Sequence, residues 1–275
     1  MSARFGTVVL TGATSGIGEA TARRLAAMSH TLIILGVEPE PQVAGVIRGI
    51  DDAGGADVHY IAADFTRLQD VVDAARRIRS SAVSIDLLIN DAAVPGAPAR
   101  MITADGFERT LQVNALAPAL FTRLLVPALA EGARIVNVGS SAHRIERFDF
   151  TDTDVDRDYS PITAYARAKL AMVTWSSLLA EEEAGSDTTV VSLCPGLNDT
   201  PLSASMTGGT GGPPSRGAAH VLFAASAEVP SGSYLEDDRV VAPSAEVLDP
   251  RNREQLARLY WHRLAPFVAS SRAAR

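Results

Sequence analysis

Phe5-Gly6-Thr7-Val8-Val9-Leu10-Thr11-Gly12-Ala13-Thr14-Ser15-Gly16-Ile17-Gly18 decides the fold. Phe5–Thr11 has the length and apolar content of a buried strand. Gly16–Met28 has helical spacing, which puts Ile17, Ala20, Leu25 and Met28 on its inner side. Between them stand Gly12, Gly16 and Gly18. Glycine lets a backbone turn sharply and come close to a bound group, and a helix N-terminus offers unpaired N–H groups and the positive end of its dipole. A strand, a glycine turn and a helix in this order make a seat for an anion such as a pyrophosphate.

The same alternation runs outward. Apolar runs at Thr31–Leu35, Val58–Ala62, Ile85–Ile89, Ile135–Val138 and Val190–Leu193 are separated by helical stretches near Glu40–Ala53, Leu68–Arg79, Ala104–Ala130 and Pro161–Ala184. Short, continuously apolar strands between helices indicate a parallel sheet covered on both faces. The expected architecture is α/β, a doubly wound parallel sheet forming one domain over residues 1–275, with its ligand crevice beyond the carboxyl ends of the strands. Two segments break the rhythm: the aspartate-rich stretch 146–158, and the Gly/Ser/Pro-rich stretch 203–217, expected to be a mobile loop. The tail from Pro250 to Val268 is expected to be helical, packing through Leu256, Leu259, Trp261, Leu264 and Phe267.

Lys169 is the only lysine among 25 basic side chains, and it follows Tyr165 by four positions. Residues i and i+4 share a helix face, so the phenol and the ammonium are expected to point into one space. An adjacent cation favours the phenolate and lowers the phenol's pKa from about 10, which would make Tyr165 a general acid or base near neutral pH. A guanidinium cannot replace a compact ammonium in such a role.

Composition excludes several classes. The net charge is −7, and no basic stripe suggests nucleic acid. A single cysteine, Cys194, excludes an internal disulfide framework, and no clustered His/Cys/Asp spacing suggests a metal. Neither a signal peptide nor a span of about 20 apolar residues is apparent, so the expectation is a cytoplasmic protein with a small-molecule partner and no membrane role.

The spacing of Gly12, Gly16 and Gly18, together with Tyr165-Ala166-Arg167-Ala168-Lys169, resembles the short-chain dehydrogenase/reductase family, and the resemblance covers nearly the whole chain. It implies a Rossmann-type domain binding NAD(P)(H), with Thr14, Ser15 and Ile17 completing the glycine turn. Asp64, with Phe65 beside it, looks like the family's adenine-contacting aspartate. Asn90 and Ala92 match the usual Asn-Asn-Ala-Gly, while Asp91 and Ala93 depart from it. Pro195-Gly196 followed by Thr200 resembles the nicotinamide-side turn. At the end of the second strand, Gly36-Val37-Glu38 offers neither the usual acid in its usual place nor an arginine; NAD(H) is weakly favoured over NADP(H), a preference that an arginine such as Arg48 could overturn.

The resemblance also implies a catalytic tetrad. Ser140 would bind the substrate oxygen, with Ser141 one register away; Tyr165 would exchange the proton; Lys169 would hold the nicotinamide ribose; and Asn114 would help hold a water that reaches the lysine. The implied activity is hydride transfer between nicotinamide and a ketone/secondary-alcohol pair. A non-catalytic dinucleotide sensor or scaffold, and an epimerase or dehydratase retaining NAD, are the alternatives. The 25 positions from Ser140 to Tyr165, the phrase Ser140-Ser141-Ala142-His143, and Tyr234-Leu235 with Trp261 resemble the retinol-dehydrogenase and protochlorophyllide-reductase branch. His143 is expected to be a loop residue. Residues 197–217 fall where the family places a substrate lid, and a homodimer or homotetramer through the two long helices is expected.

Overall fold

The computed structural model describes residues 5–81, 84–209 and 211–273; positions 1–4, 82–83, 210 and 274–275 of the expected domain, including one position of the expected lid, lie outside them. Eight strands form one sheet: β1 (Phe5–Thr11), β2 (Ser29–Gly36), β3 (Asp57–Ala62), β4 (Ile85–Asn90), β5 (Leu129–Val138), β6 (Thr189–Cys194), β7 (Tyr234–Glu236) and β8 (Arg239–Val241). Their spatial order is β3-β2-β1-β4-β5-β6-β7-β8, parallel except for the β7–β8 hairpin. The helices are α1 (Gly16–Leu25), α2 (Glu40–Asp51), α3 (Leu68–Ser80), α4 (Arg109–Leu111), α5 (Ala117–Leu125), α6 (Pro161–Glu182), α7 (Pro201–Thr207), α8 (Pro214–Ala224), α9 (Ala245–Leu248) and α10 (Pro250–Ala273).

Strand alternation divides the core. Val8 and Leu10 pack with Ala22 and Leu25 of α1 on one face, whereas Val9 packs with Leu116, Leu120 and Leu170 on the other. Both faces are covered, as a run of buried β-branched and leucine residues requires. Because β1 lies between β2 and β4, chain crossovers leave it in opposite directions, and a crevice opens at its carboxyl end.

Element boundaries differ from expectation at several places. Helix α1 stops at Leu25, and its buried face is Gly18, Thr21, Ala22 and Leu25; Ala20 and Met28 are only partly buried. The expected helix Ala104–Ala130 begins at Arg109, because residues 103–107 close a turn in which the Thr103 N–H donates to the Phe107 carbonyl and Gly106 takes φ +86°. Its middle, Gln112–Leu116, is a π turn, and β5 starts at Leu129, well before Ile135. The 203–217 stretch is not one loop. It holds α7 and the start of α8, each opened by a proline whose missing N–H costs nothing in a first turn. Thr200 and Ser203 form a reciprocal cap on α7.

The tail is helical, but Trp261 is 61 % exposed, while Leu256, Tyr260 and Leu264 are buried. Helix α10 lies across α5 and α6: its Tyr260 meets Trp175, and Arg253 pairs with Glu181 at 2.7 Å. The aspartate-rich segment is bound into the structure, with Asp154 held by Arg263 and Asp156 paired with Arg100. One helical run, 109–128, is long and apolar enough to cross a membrane, contrary to the sequence expectation; it is mostly buried against its own neighbours in this fold.

Candidate active site

A crevice of about 690 Å³ lies over the carboxyl ends of the central strands. Its first wall is the glycine turn. Gly12 and Gly16 have φ of +72° and +56°, so a side chain at either is strained. A Cβ on Gly18 would stand 2.1 Å from the Gly12 carbonyl oxygen, so Gly18 serves the packing of α1 on the turn and does not line the crevice. Gly12, Thr14, Ser15, Gly16 and Ile17 do line it. The Thr11 hydroxyl accepts from the N–H groups of Asp91 and Ala92 at 3.1 Å each, tying the turn to the end of β4.

Further along the same wall stand Gly36, Val37, Glu38, Asp64 and Phe65. The Thr14 hydroxyl donates to the Glu38 carboxylate at 2.9 Å, and the Tyr60 hydroxyl donates to the Glu38 carbonyl at 2.6 Å. Burial and the nearby Glu38 push the Tyr60 phenol up to about 12, so it remains a donor. Asp64 folds onto Thr66, accepting from its N–H and its hydroxyl at 2.8 Å. Arg48 is exposed and does not line the crevice, whereas Arg109 does.

Asn90 is not at the surface of this wall. Its buried amide donates to Thr122 at 2.9 Å and to Asn137 at 2.8 Å, and Asn137 donates on to Ser176. That chain of amides and hydroxyls fastens β4 and β5 to α5 and α6. Asn114 is likewise buried and lies outside the crevice: its amide donates to the Val94 carbonyl at 2.9 Å and accepts from the Val94 N–H at 2.8 Å. Both bonds hold the crevice-lining Val94 segment in place.

Ser140, Tyr165 and Lys169 converge on the crevice floor. Ser140 stands two residues beyond β5 in extended conformation, its hydroxyl accepting from the Ala142 N–H at 3.2 Å and close enough to Tyr165 to act on the phenol. Ser141 is exposed at the rim. Lys169 is buried, and its Nζ donates to the Val138 carbonyl at 2.8 Å. The sequence expectation of a lowered Tyr165 pKa is overturned. Burial pushes the phenol up to about 12, only partly opposed by the neighbouring Ser140 hydroxyl, because the ammonium is bonded to Val138 and sits 5.7 Å from the ring centre. Burial also brings Lys169 down to about 8, with Asp91 opposing. Asp91, where the family usually has asparagine, is raised to about 7 by the same loss of water.

The opposite wall carries Pro195, Gly196 and Thr200, followed by residues that the sequence did not single out: Leu197, Leu202 and Met206, with Ile145 and Ile162 across from them. Leu202 and Met206 stand four apart in α7, a face that was legible only once Pro201 was read as a helix start. The Thr200 hydroxyl accepts from the Ser203 N–H at 3.2 Å, so it caps α7 as well as facing the crevice.

Residues 6–209 match the sequence model of the family described as short chain dehydrogenase. The chain belongs to the short-chain dehydrogenase family. It is 34 % identical to mouse polyprenol dehydrogenase, the match covering 92 % of this chain and 81 % of that one, and 31 % identical to mouse retinol dehydrogenase 13, covering 97 % and 85 %. These relatives agree with the branch that the residues after Ser140 resemble. Among solved structures, an uncharacterised protein from Mycobacterium paratuberculosis superposes with a TM-score of 0.81 at 28 % identity, covering 96 % and 94 % of the two chains. A short-chain dehydrogenase from Burkholderia cenocepacia in complex with NADP superposes with a TM-score of 0.67 at 26 % identity, covering 83 % and 94 %. This dehydrogenase is therefore an oxidoreductase whose fold binds NAD(P)(H).

The residues present fit such a cofactor. Glycines at 12 and 16 put no side chain at those two points of the turn, α1 offers unpaired N–H groups behind it, and the crevice has the volume of a cofactor site.

Proposed function

We propose that this dehydrogenase interconverts a ketone and a secondary alcohol, with Tyr165 as general acid and base. The observation that carries this is the convergence of Tyr165, Ser140 and Lys169 on one crevice floor. When bound, the nicotinamide supplies or accepts the hydride. As a ketone is reduced, negative charge gathers on its oxygen; Ser140 donates a hydrogen bond to that oxygen and Tyr165 gives up its proton to it. A phenol raised to about 12 holds its proton until that charge develops. Lys169 fixes the end of β5 and would hold the ribose of the cofactor. Asn114, through Val94, shapes the side of the crevice nearest the reacting carbon.

The favoured cofactor is NAD(H). The end of β2 is where this fold meets the adenosine ribose, and here it carries Glu38, held by Thr14. A fixed carboxylate accepts from a 2′-hydroxyl and repels a 2′-phosphate. The favoured substrate is apolar, because Val94, Ile145, Ile162, Leu197, Leu202 and Met206 line the end of the crevice beside Tyr165. None of the aspartates of 146–158 lines it, so the segment does not select a charged substrate. Helix α7 would be the part of the 197–217 segment that closes over substrate. Pairing of two copies through α5 and α6 would require α10 to leave them, so the expected state is a monomer. The test is turnover of an apolar ketone panel (linear 2-alkanones and aryl ketones) with NADH and NADPH separately; no reduction of any member by the parent protein with either nucleotide would sink the assignment.

A further inference from the structure

His143 is fully buried, three residues after Ser140, and the reaction scheme above leaves it without a role. Its bonds define its chemical state. Nδ1 lies 2.7 Å from the Ser140 carbonyl oxygen, which can only accept, so Nδ1 carries the proton. Nε2 lies 3.0 Å from the Ser244 N–H, which can only donate, so Nε2 is the bare acceptor; the Arg144 guanidinium donates to the same nitrogen at 2.9 Å. A proton on Nε2 would face two donors, one of them a full positive charge.

The ring is enclosed by every element around it. Tyr234 of β7 packs edge-on at 4.8 Å between centres. The Tyr234 hydroxyl donates to Glu236 at 2.8 Å, Glu236 pairs with Arg144 at 3.4 Å, and Arg144 also donates to the Ala242 carbonyl. Helix α6 brings Tyr165 and Lys169 to the far side of the Ser140 turn, and β6 brings Cys194. The titratable and charged groups that act on the imidazole are Arg144, Glu236 and Tyr234, while Tyr165, Lys169 and Cys194 line the crevice. Burial and Arg144 hold it below its ordinary value, outweighing Ser140 and Glu236.

Val138 is the last paired residue of β5, and past it no strand holds the backbone. Lys169 takes the Val138 carbonyl and His143 takes that of Ser140, both through its ring and through its own N–H at 3.1 Å. We propose that His143 is a positioning residue for catalysis, its neutral Nδ1-protonated ring locking the Ser140 backbone so that the Ser140 hydroxyl stays aimed at Tyr165 and the substrate oxygen. The Ser244 segment is the anchor from which it does so. The proposal rests on the roles assigned to Ser140 and Tyr165 above.

His143→Asn and His143→Gln separate the two bonds. An asparagine N–H can stand where Nδ1 stands and keep Ser140; a glutamine carbonyl can reach the Ser244 N–H but gives up Ser140. With the best ketone of the apolar panel and NADH, the asparagine variant should keep kcat within about threefold of the parent, and the glutamine variant should lose about tenfold in kcat. Dinucleotide Kd should be unchanged in both. The parent should lose kcat at acid pH in a limb that the asparagine variant lacks. Equal kcat in two folded variants, or full activity of the glutamine variant, would overturn the proposal. If neither variant folds, two-bond proton–nitrogen spectra of the parent decide. A neutral, Nδ1-protonated imidazole at pH 6 supports the lock, and its absence refutes it. Retained turnover in Tyr165→Phe would instead sink the catalytic assignment and leave the spectrum untouched.

Discussion

The ammonium of Lys169 is bonded to the Val138 carbonyl at 2.8 Å and not to the phenol of Tyr165. One helical turn brings the two side chains of the pair together, yet the lysine's first task is to close the end of β5. Burial then leaves the Tyr165 phenol raised to about 12, so it keeps its proton. On the mechanism proposed above the pair divides the labour: one group orders the floor, and the other would move the proton.

Lys169→Arg should therefore damage both structure and turnover. A planar fork does not fit a buried site shaped for a point charge, and the Val138 carbonyl loses a well-placed donor. The expected result is a fall in kcat of at least about a hundredfold, together with a lower melting temperature, since unsatisfied buried groups cost about 1–3 kcal/mol. Calorimetry and steady-state kinetics on one preparation check both; an arginine variant as active and as stable as the parent would remove the lysine from this role.

Tyr165→Phe removes one hydroxyl and leaves the ring. Turnover should fall by about 10²–10⁴-fold, the range for a lost general acid, while dinucleotide binding measured by fluorescence quenching stays within a few-fold. Turnover close to the parent's would show that the proton comes from elsewhere.

What the sequence made legible follows from which forces are local. The glycine turn, the strand series and the Tyr165–Lys169 spacing are encoded in short stretches, and the structure places them together. Trp261 was misread because helical periodicity shows that a face exists but not how wide its partner is; α10 packs through Leu256, Tyr260 and Leu264 and leaves Trp261 outside. Residues 203–217 were misread because Gly, Ser and Pro signal loops by composition, whereas Pro201 and Pro214 are at positions where proline starts helices. Asn90 fits a motif by letter, but only coordinates show that its amide points to Thr122 and Asn137. The Tyr165 pKa could not be read from spacing, because desolvation depends on everything packed around the ring.

Glu38→Arg should shift cofactor preference toward NADPH. The substitution removes a carboxylate that repels a 2′-phosphate and supplies a cation beside it. The ratio of kcat/KM for NADH over NADPH should fall by at least about tenfold. An unchanged ratio would mean that the 2′-position is read by other residues, with Arg109 the crevice-lining arginine to test next.

Light scattering after size exclusion should report a mass near 28.9 kDa. Tyr260 and Leu264 of α10 are buried, with Tyr260 against Trp175 of α6, so α10 covers the helices through which pairing is expected. A stable particle of twice that mass would show that another surface pairs. Removing residues 250–275 should expose Trp175 and lower stability.

Asp91→Asn tests the remaining departure at the floor. The carboxyl is raised from 3.8 to about 7 by burial, with Lys169 opposing. Between those values the unfolded chain has released a proton that the folded chain still holds, so stability falls as pH rises through this window. The amide carries no such penalty. At pH 8 the variant should melt above the parent, and the gap should shrink steadily as pH falls toward 4, where the parent's carboxyl is neutral in both states. The loss of Asp91 as a neighbour also lowers Lys169 further, an effect confined to the range in which Asp91 is charged, so it reduces the gap without reversing its direction with pH. A gap that is constant with pH would show that Asp91 ionises in the folded protein as it does in water, and one widest in acid that the fold favours its charged form; either overturns the raised carboxyl.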